Sequence, residues 1–209
     1  MGKSKKKAKT ARSKIANWMY HIGFTFFVLA AVAIICKSAG EIVGPAWQSV
    51  RSIWTKTEIP PLTGRVVDVA KVLKPDGIAK VTDEILQLEA ATQGGQMAVL
   101  TVPTLNSQPI EDFSLKVAEK WGIGQKGRDN GAVLVIAVAD HKDRLEVGYG
   151  WEGPVNDAKA GDILREMMPY LQADDYAGAM VLAVRRVKGF VTGDPAGEMP
   201  AVVPSGKSK

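Results

Sequence analysis

Oxygen-bearing side chains gather in two short stretches: Asp129 and Asn130 in "GRDNGAVLVIAV", and Glu152, Asn156 and Asp157 in "GYGWEGPVND". Oxygen ligands drawn from two loops suit a hard cation such as Ca2+ or Mg2+. Each residue also has an ordinary structural use. Gly131 can supply a positive φ, Asn156 or Asp157 can cap a helix, and Glu152 can stand in water. A hairpin is what would bring the two stretches together. If the strands Ala132 to Ala139 and Arg144 to Tyr149 pair about an Asp140 to Asp143 connection, Gly131 lies opposite Glu152 and Asp129 opposite Pro154. Both stretches then meet at one end of the sheet, and a slip of two residues leaves that conclusion standing.

Other chemistries lack their signatures. The pattern "GYGWEG" (Gly148, Gly150, Gly153) follows a strand, but Pro154 and three more residues separate it from the next helix. Glu152 would also meet a pyrophosphate with like charge, so a dinucleotide loop is disfavoured. The second pattern, "GIGQKG" (Gly122, Gly124, Gly127), follows a helix and has the wrong context. Its Lys126 and Arg128 could meet an anion, although exposed charges there need no function. His21 and His141 are too few and too far apart for a zinc site, and the one cysteine, Cys36, lies in an apolar run. Nicotinamide, flavin, haem and zinc are therefore not expected. With no GxSxG, HExxH or P-loop pattern, any catalysis would rest on carboxylates and a bound metal.

Apolar spacing supplies the elements that must hold these groups. Pro75 opens a helix through about Thr92, "QMAVLTV" from Gln96 reads as a buried strand, and Pro109 opens a second helix carrying Ile110, Phe113, Val117 and Trp121. After the hairpin come helices from Asp157 to about Leu171 and from Asp174 to about Phe190. Helices alternating with a few strands predict an α/β sandwich with a mixed sheet, because the hairpin is antiparallel while the earlier crossover favours a parallel pair.

The N-terminal part is of another kind. Residues 1–17 carry seven basic side chains and no acidic one, and without them 20 basic face 22 acidic residues. The formal charge of +5 thus belongs to the tail, and no nucleic-acid partner is expected from it. "WMYHIGFTFFVLAAVAIIC", Trp18 to Cys36, would span roughly 28 Å as a helix, about the hydrocarbon thickness of a bilayer. The segment 18–37 is read as one uncleaved transmembrane helix with a cytoplasmic N-terminus, since Lys37 and Ile35 ill suit the cleavage sites of signal peptides. Residues 38–61 hold an amphipathic stretch whose Trp47 and Trp54 would face either the membrane interface or else the globular domain or a partner helix, and then a Pro60-Pro61 linker. Residues 192–209 cannot build a core and are expected to be disordered.

Taken in order, "GRVVDVAKVL", "QMAVLTV", "WGIGQKGRDNGAVLVIA", "RLEVGYGWEGPVNDA" and "DDYAGAM" resemble the TPM domain, a family common in bacterial exported proteins and plant thylakoid lumens. The likeness runs from Leu62 to about Phe190, a domain at 62–191. It implies a Rossmann-like α/β/α sandwich, with Asp68, Asp129, Asn130, Gly131 and Asp157 at motif positions. It further implies acid phosphatase activity, calcium binding, photosystem repair or an accessory role beside membrane receptors, without choosing among them. A common bacterial layout places a spanning helix after the domain; here the anchor comes first. The expectation is a single-pass inner-membrane protein with an exported, periplasmic or equivalent, TPM domain that serves a membrane protein complex. The alternatives are a metal-dependent phosphatase and a non-catalytic calcium-binding domain, with Asp129, Asp157, Asp68 and Glu152 as metal ligands and Asn130 and Gly131 as further binding residues.

Overall fold

A computed structural model describes residues 56–194. The basic tail, the expected span at 18–37, the Trp47 and Trp54 face and residues 195–209 lie outside the described residues. Among the described residues no helix is long and apolar enough to cross a membrane.

The elements run β1 (Val66–Asp68), α1 (Pro75–Ala91), β2 (Gln96–Val102), α2 (Ile110–Trp121), β3 (Gly131–Ala137), β4 (Lys142–Val147), a 3-10 turn (Tyr149–Trp151), α3 (Asp157–Gln172) and α4 (Tyr176–Thr192). The sheet order is β1-β2-β3-β4, with the first three strands parallel and β4 antiparallel to β3. The mixed sheet is therefore as expected. β1 was not legible from spacing, because three residues are too few to show a period.

Strands β2 and β3 are buried along almost their whole length, as central strands covered on both faces must be. On one face Met97, Val99, Leu134 and Ile136 pack with α1, α3 and α4. On the other, Leu100, Val102, Val133 and Val135 pack with Phe113 and Val117 of α2. Both parallel crossovers step the same way along the sheet, yet α1 and α2 cover opposite faces, so the two crossovers have opposite hands. One of them breaks the strong preference for the right-handed form. The consequence for the site is that among the described residues α2 is the one helix on its face, beside the β3-β4 hairpin and with Ile59 packed against the same cluster.

Helices α1 and α4 run in parallel. Ala177 approaches Gly77 at the N-terminal ends, and further along Glu84 binds Arg185 at 2.9 Å and Lys188 at 2.8 Å. Glu84 is buried, so the two cations of α4 offset its desolvation while fixing the helices in register. The stretch read as a linker is tied down as well. Thr57 Oγ1 donates to the Thr104 carbonyl at 2.7 Å, and Trp121 Nε1 donates to the Pro60 carbonyl at 2.9 Å.

The hairpin register differs from expectation. Ala137 pairs with Lys142 and Ala132 with Val147, so the connection is Val138 to His141 and not Asp140 to Asp143. The chain turns two residues early because His141 adopts a left-handed φ of 50° and its N–H reaches the Val138 carbonyl. Asp140 points elsewhere, accepting the Leu105 N–H at 2.7 Å.

Candidate functional site

The loop ahead of β3 and the turn after β4 do meet at one end of the sheet, though with shifted partners. Gly131 lies opposite Gly148, whose N–H donates to its carbonyl at 2.7 Å, and the Gly150 N–H donates to the Asp129 carbonyl at 3.1 Å. A Cβ on Gly148 or Gly150 would overlap the carbonyl oxygen of Asp129 or Arg128 respectively, and one on Gly131 that of Ile123. These glycines are thus sites of close backbone approach. Gly131 does not supply a positive φ; Asp129 does, at 49°. The conformational demand falls on the aspartate, a residue type that tolerates the left-handed region.

Asn130 is almost fully buried and its side chain is spent on the loop. Its Oδ1 accepts the Gln125 N–H at 2.9 Å, and its Nδ2 donates to Gln125 Oε1 at 3.0 Å. The same Gln125 oxygen accepts from Arg128 at 3.0 Å, while Gln96 Oε1 holds the Gly124 N–H at 2.8 Å. The opposing turn is anchored by Trp151, which is buried and leaves Gly95 no room for a side chain. Asn156 caps α3 by accepting the Lys159 N–H at 3.1 Å, and Lys159 donates to the Pro154 carbonyl and stacks over Phe190 at 4.8 Å.

On this braced frame Asp129, Glu152 and Asp157 are exposed. Tyr149, 79% exposed, projects from the same turn and is the most exposed large hydrophobic side chain among the described residues. Nothing in the sequence marked it, because a lone aromatic between two glycines has no period to read. Nearby, Glu146 accepts from Ser114 of α2 at 2.7 Å and from Arg144 at 2.9 Å. The Arg144 guanidinium is held above its ordinary value, first by the Glu146 hydrogen bond, with the charges of Glu146, Glu111 and Asp157 adding to it against burial.

Asp68 is not part of this cluster. It pairs in register with Thr101, which pairs with Ile136, five residues along β3 from Gly131. At about 3.3 Å per residue that is roughly 16 Å away, at the opposite end of the sheet. There its carboxylate accepts the Thr101 hydroxyl and the N–H groups of Val72 at 3.2 Å and Leu73 at 2.9 Å, fixing the β1-α1 loop. The expected set of Asp129, Asp157, Asp68 and Glu152 therefore does not assemble. Among the described residues no three His, Cys, Asp or Glu side chains are grouped so as to hold a metal ion. Asp129, Glu152 and Asp157 thus do not build an all-protein oxygen cage of the kind a high-coordination Ca2+ site uses.

A four-stranded mixed sheet with helices on both faces and a loop-built rim defines an α/β sandwich domain. The chain belongs to the TPM domain family, whose pattern matches residues 66–190. Among solved structures it is similar to the N-terminal domain of a protein from P. gingivalis. That match has 28% identity and a TM-score of 0.58, and covers 65% of this chain and 89% of the other. It is also similar to the N-terminal domain of a Corynebacterium glutamicum protein, at 14% identity and a TM-score of 0.52, covering 70% of this chain and 93% of the other. The second likeness is one of fold alone. No curated protein matches the chain.

Proposed function

We propose that the protein is a single-pass membrane protein whose exported TPM domain is a non-catalytic binding module, serving the assembly, maintenance or regulation of a membrane protein complex. The rim of Asp129, Tyr149, Glu152 and Asp157 is its docking face. The observation that carries this reading is the division of labour at the rim. The buried polar groups that could have done chemistry are consumed in bracing two loops, and what faces outward is an exposed tyrosine and three carboxylates, with Lys126 and Arg128 exposed on the loop ahead of β3. An amphipathic aromatic with low conformational freedom is a favoured interface anchor, and carboxylates around it select a partner surface bearing Lys or Arg. The membrane setting rests on the sequence from Trp18 to Cys36, the docking role on the rim.

Site-specific photo-crosslinking in cells tests the proposal. A crosslinker at position 149 should yield a discrete adduct that Glu152→Lys and Asp157→Lys weaken, while one at the exposed Leu86 of α1 should not. Equal adducts at both positions would sink it. The hydrolytic alternative predicts phosphate-ester turnover that Asp129→Ala abolishes, and calcium binding predicts a Ca2+-dependent rise in melting temperature. The lack of a three-carboxylate group among the described residues favours the binding reading over both.

A further inference from the structure

The open edge of the sheet carries a self-complementary pattern. Strand β4 has β3 on one side and no strand on the other among the described residues. The bond from the Gly148 N–H to the Gly131 carbonyl sets the phase of an unbroken antiparallel register. Residues 142, 144 and 146 therefore direct their backbone groups at β3, while Asp143, Leu145 and Val147 direct theirs outward. Among the described residues these six outward groups have no hydrogen-bond partner.

We infer that this edge is the contact between two copies of the chain, paired β4 to β4 antiparallel about a two-fold axis through Leu145. Five registers set outward residues of one copy opposite outward residues of the other. Centring on Arg144 or Glu146 places like charges face to face, and centring on Asp143 sets Lys142 against Arg144. Centring on Val147 leaves the Asp143 groups unmet. Only Leu145 engages all six groups, with 143 opposite 147 and 145 opposite itself. In that register Arg144 faces Glu146 of the second copy, and Glu146 faces Arg144.

These are non-hydrogen-bonded pairs, the closer kind, in which side chains interact most strongly across strands. Within each chain Arg144 already holds Glu146 at 2.9 Å. The two-fold turns that pair into a square of alternating sign. Two exposed apolar side chains flank the edge and gain cover: Leu115 of α2, in a groove with Glu146 and Val147, and Met168 of α3, in one with Lys142 and Asp143. An unprotected edge strand invites pairing with whatever strand fits, and this sequence fits itself.

The test uses the full-length chain in mild detergent, with mass measured by sedimentation. The wild type should dimerise. Arg144→Glu and Glu146→Arg should each weaken the dimer about tenfold or more, and mixing the two variants should restore it, because each then meets its opposite charge. The double variant R144E/E146R keeps both the internal and the cross-copy pairs and should behave as wild type, which guards against misfolding of the single variants. In a Cys36→Ser background, Arg144→Cys mixed with Glu146→Cys should form a disulfide that neither forms alone, since only that combination brings the Cα atoms within disulfide range. A monomer at all concentrations, or a dimer indifferent to both reversals, overturns the inference. A monomer whose edge instead captures a strand of another protein overturns it too.

Discussion

Substituting Gly150 by alanine separates two readings of "GYGWEG". In a nucleotide loop a glycine admits a ligand, so its loss would weaken binding and leave the fold intact. Here it admits the protein's own backbone. A Cβ at Gly150 overlaps the Arg128 carbonyl oxygen and comes within 3.1 Å of the Arg128 carbonyl carbon and 3.2 Å of that of Asp129. Those atoms belong to a loop held by the Gly150–Asp129 hydrogen bond and the Asn130–Gln125 pair, so they cannot yield freely. Overpacking of this kind costs about 3 kcal/mol, at the upper end of the usual range because the obstacle is backbone. A domain of about 140 residues has an unfolding entropy near 0.3 kcal/mol per kelvin, so the melting temperature should fall by about 10 °C. A Cβ at Gly153, three residues on, would meet nothing within 4 Å, and Gly153→Ala should shift stability by less than about 0.5 kcal/mol. Thermal denaturation followed by circular dichroism reads both variants. Equal melting temperatures for the two would refute the close-approach argument.

Three further perturbations follow from the same geometry. Asn130→Ala strands the Gln125 N–H and removes the support of its side chain, so urea titration should show a loss of about 2 kcal/mol with an unchanged m-value. Glu84→Gln keeps the volume but leaves Arg185 and Lys188 without their anion; because those cations are 30% and 25% exposed, the loss should be held to about 2 kcal/mol in the same titration. Asp143 has its carboxyl raised from 3.8 by burial, so the native state binds its proton more readily than the unfolded chain does. Stability should then fall as pH rises from 3.8 through the raised native value, and Asp143→Asn should raise the melting temperature at pH 7 but not below 3.8. A pH-independent difference between wild type and variant would contradict the assignment.

The sequence disclosed the elements it could encode as periods. The helices opened by Pro75 and Pro109 and the strand from Gln96 appear within a residue or two of expectation, because their apolar spacing outlasts a single turn or pleat. The meeting of the DNG loop with the GYG turn was legible as well, since any antiparallel register near the hairpin loop brings them to one end. The individual partners were not. A left-handed His141 moved the turn by two residues and replaced Glu152 and Pro154 with Gly148 and Gly150. Neither the site of Asp68 nor the opposed hands of the crossovers could be read, because both depend on strand order and helix face, which local pattern leaves open.

The position of Asp68 bears on the residues that the resemblance to the family singles out in this chain. Asp68 and Asn130 stand at opposite ends of the sheet, and both spend their side chains on neighbouring backbone, the one at Val72 and Leu73, the other at Gln125. Gly131 meets the Ile123 carbonyl where no side chain would fit. Three of the five positions that the resemblance singles out thus have a structural use in this chain, since each satisfies a loop amide or admits a carbonyl that the sheet cannot serve. The side chains that this scaffold leaves exposed at the rim are Asp129, Asp157, Glu152 and above all Tyr149. Replacing Tyr149 by alanine should therefore leave the melting temperature within about 1–2 °C of wild type, as expected for a surface substitution, while removing the adduct that a crosslinker placed instead at position 152 would form. A large stability loss would make Tyr149 another bracing residue and leave the rim without its anchor.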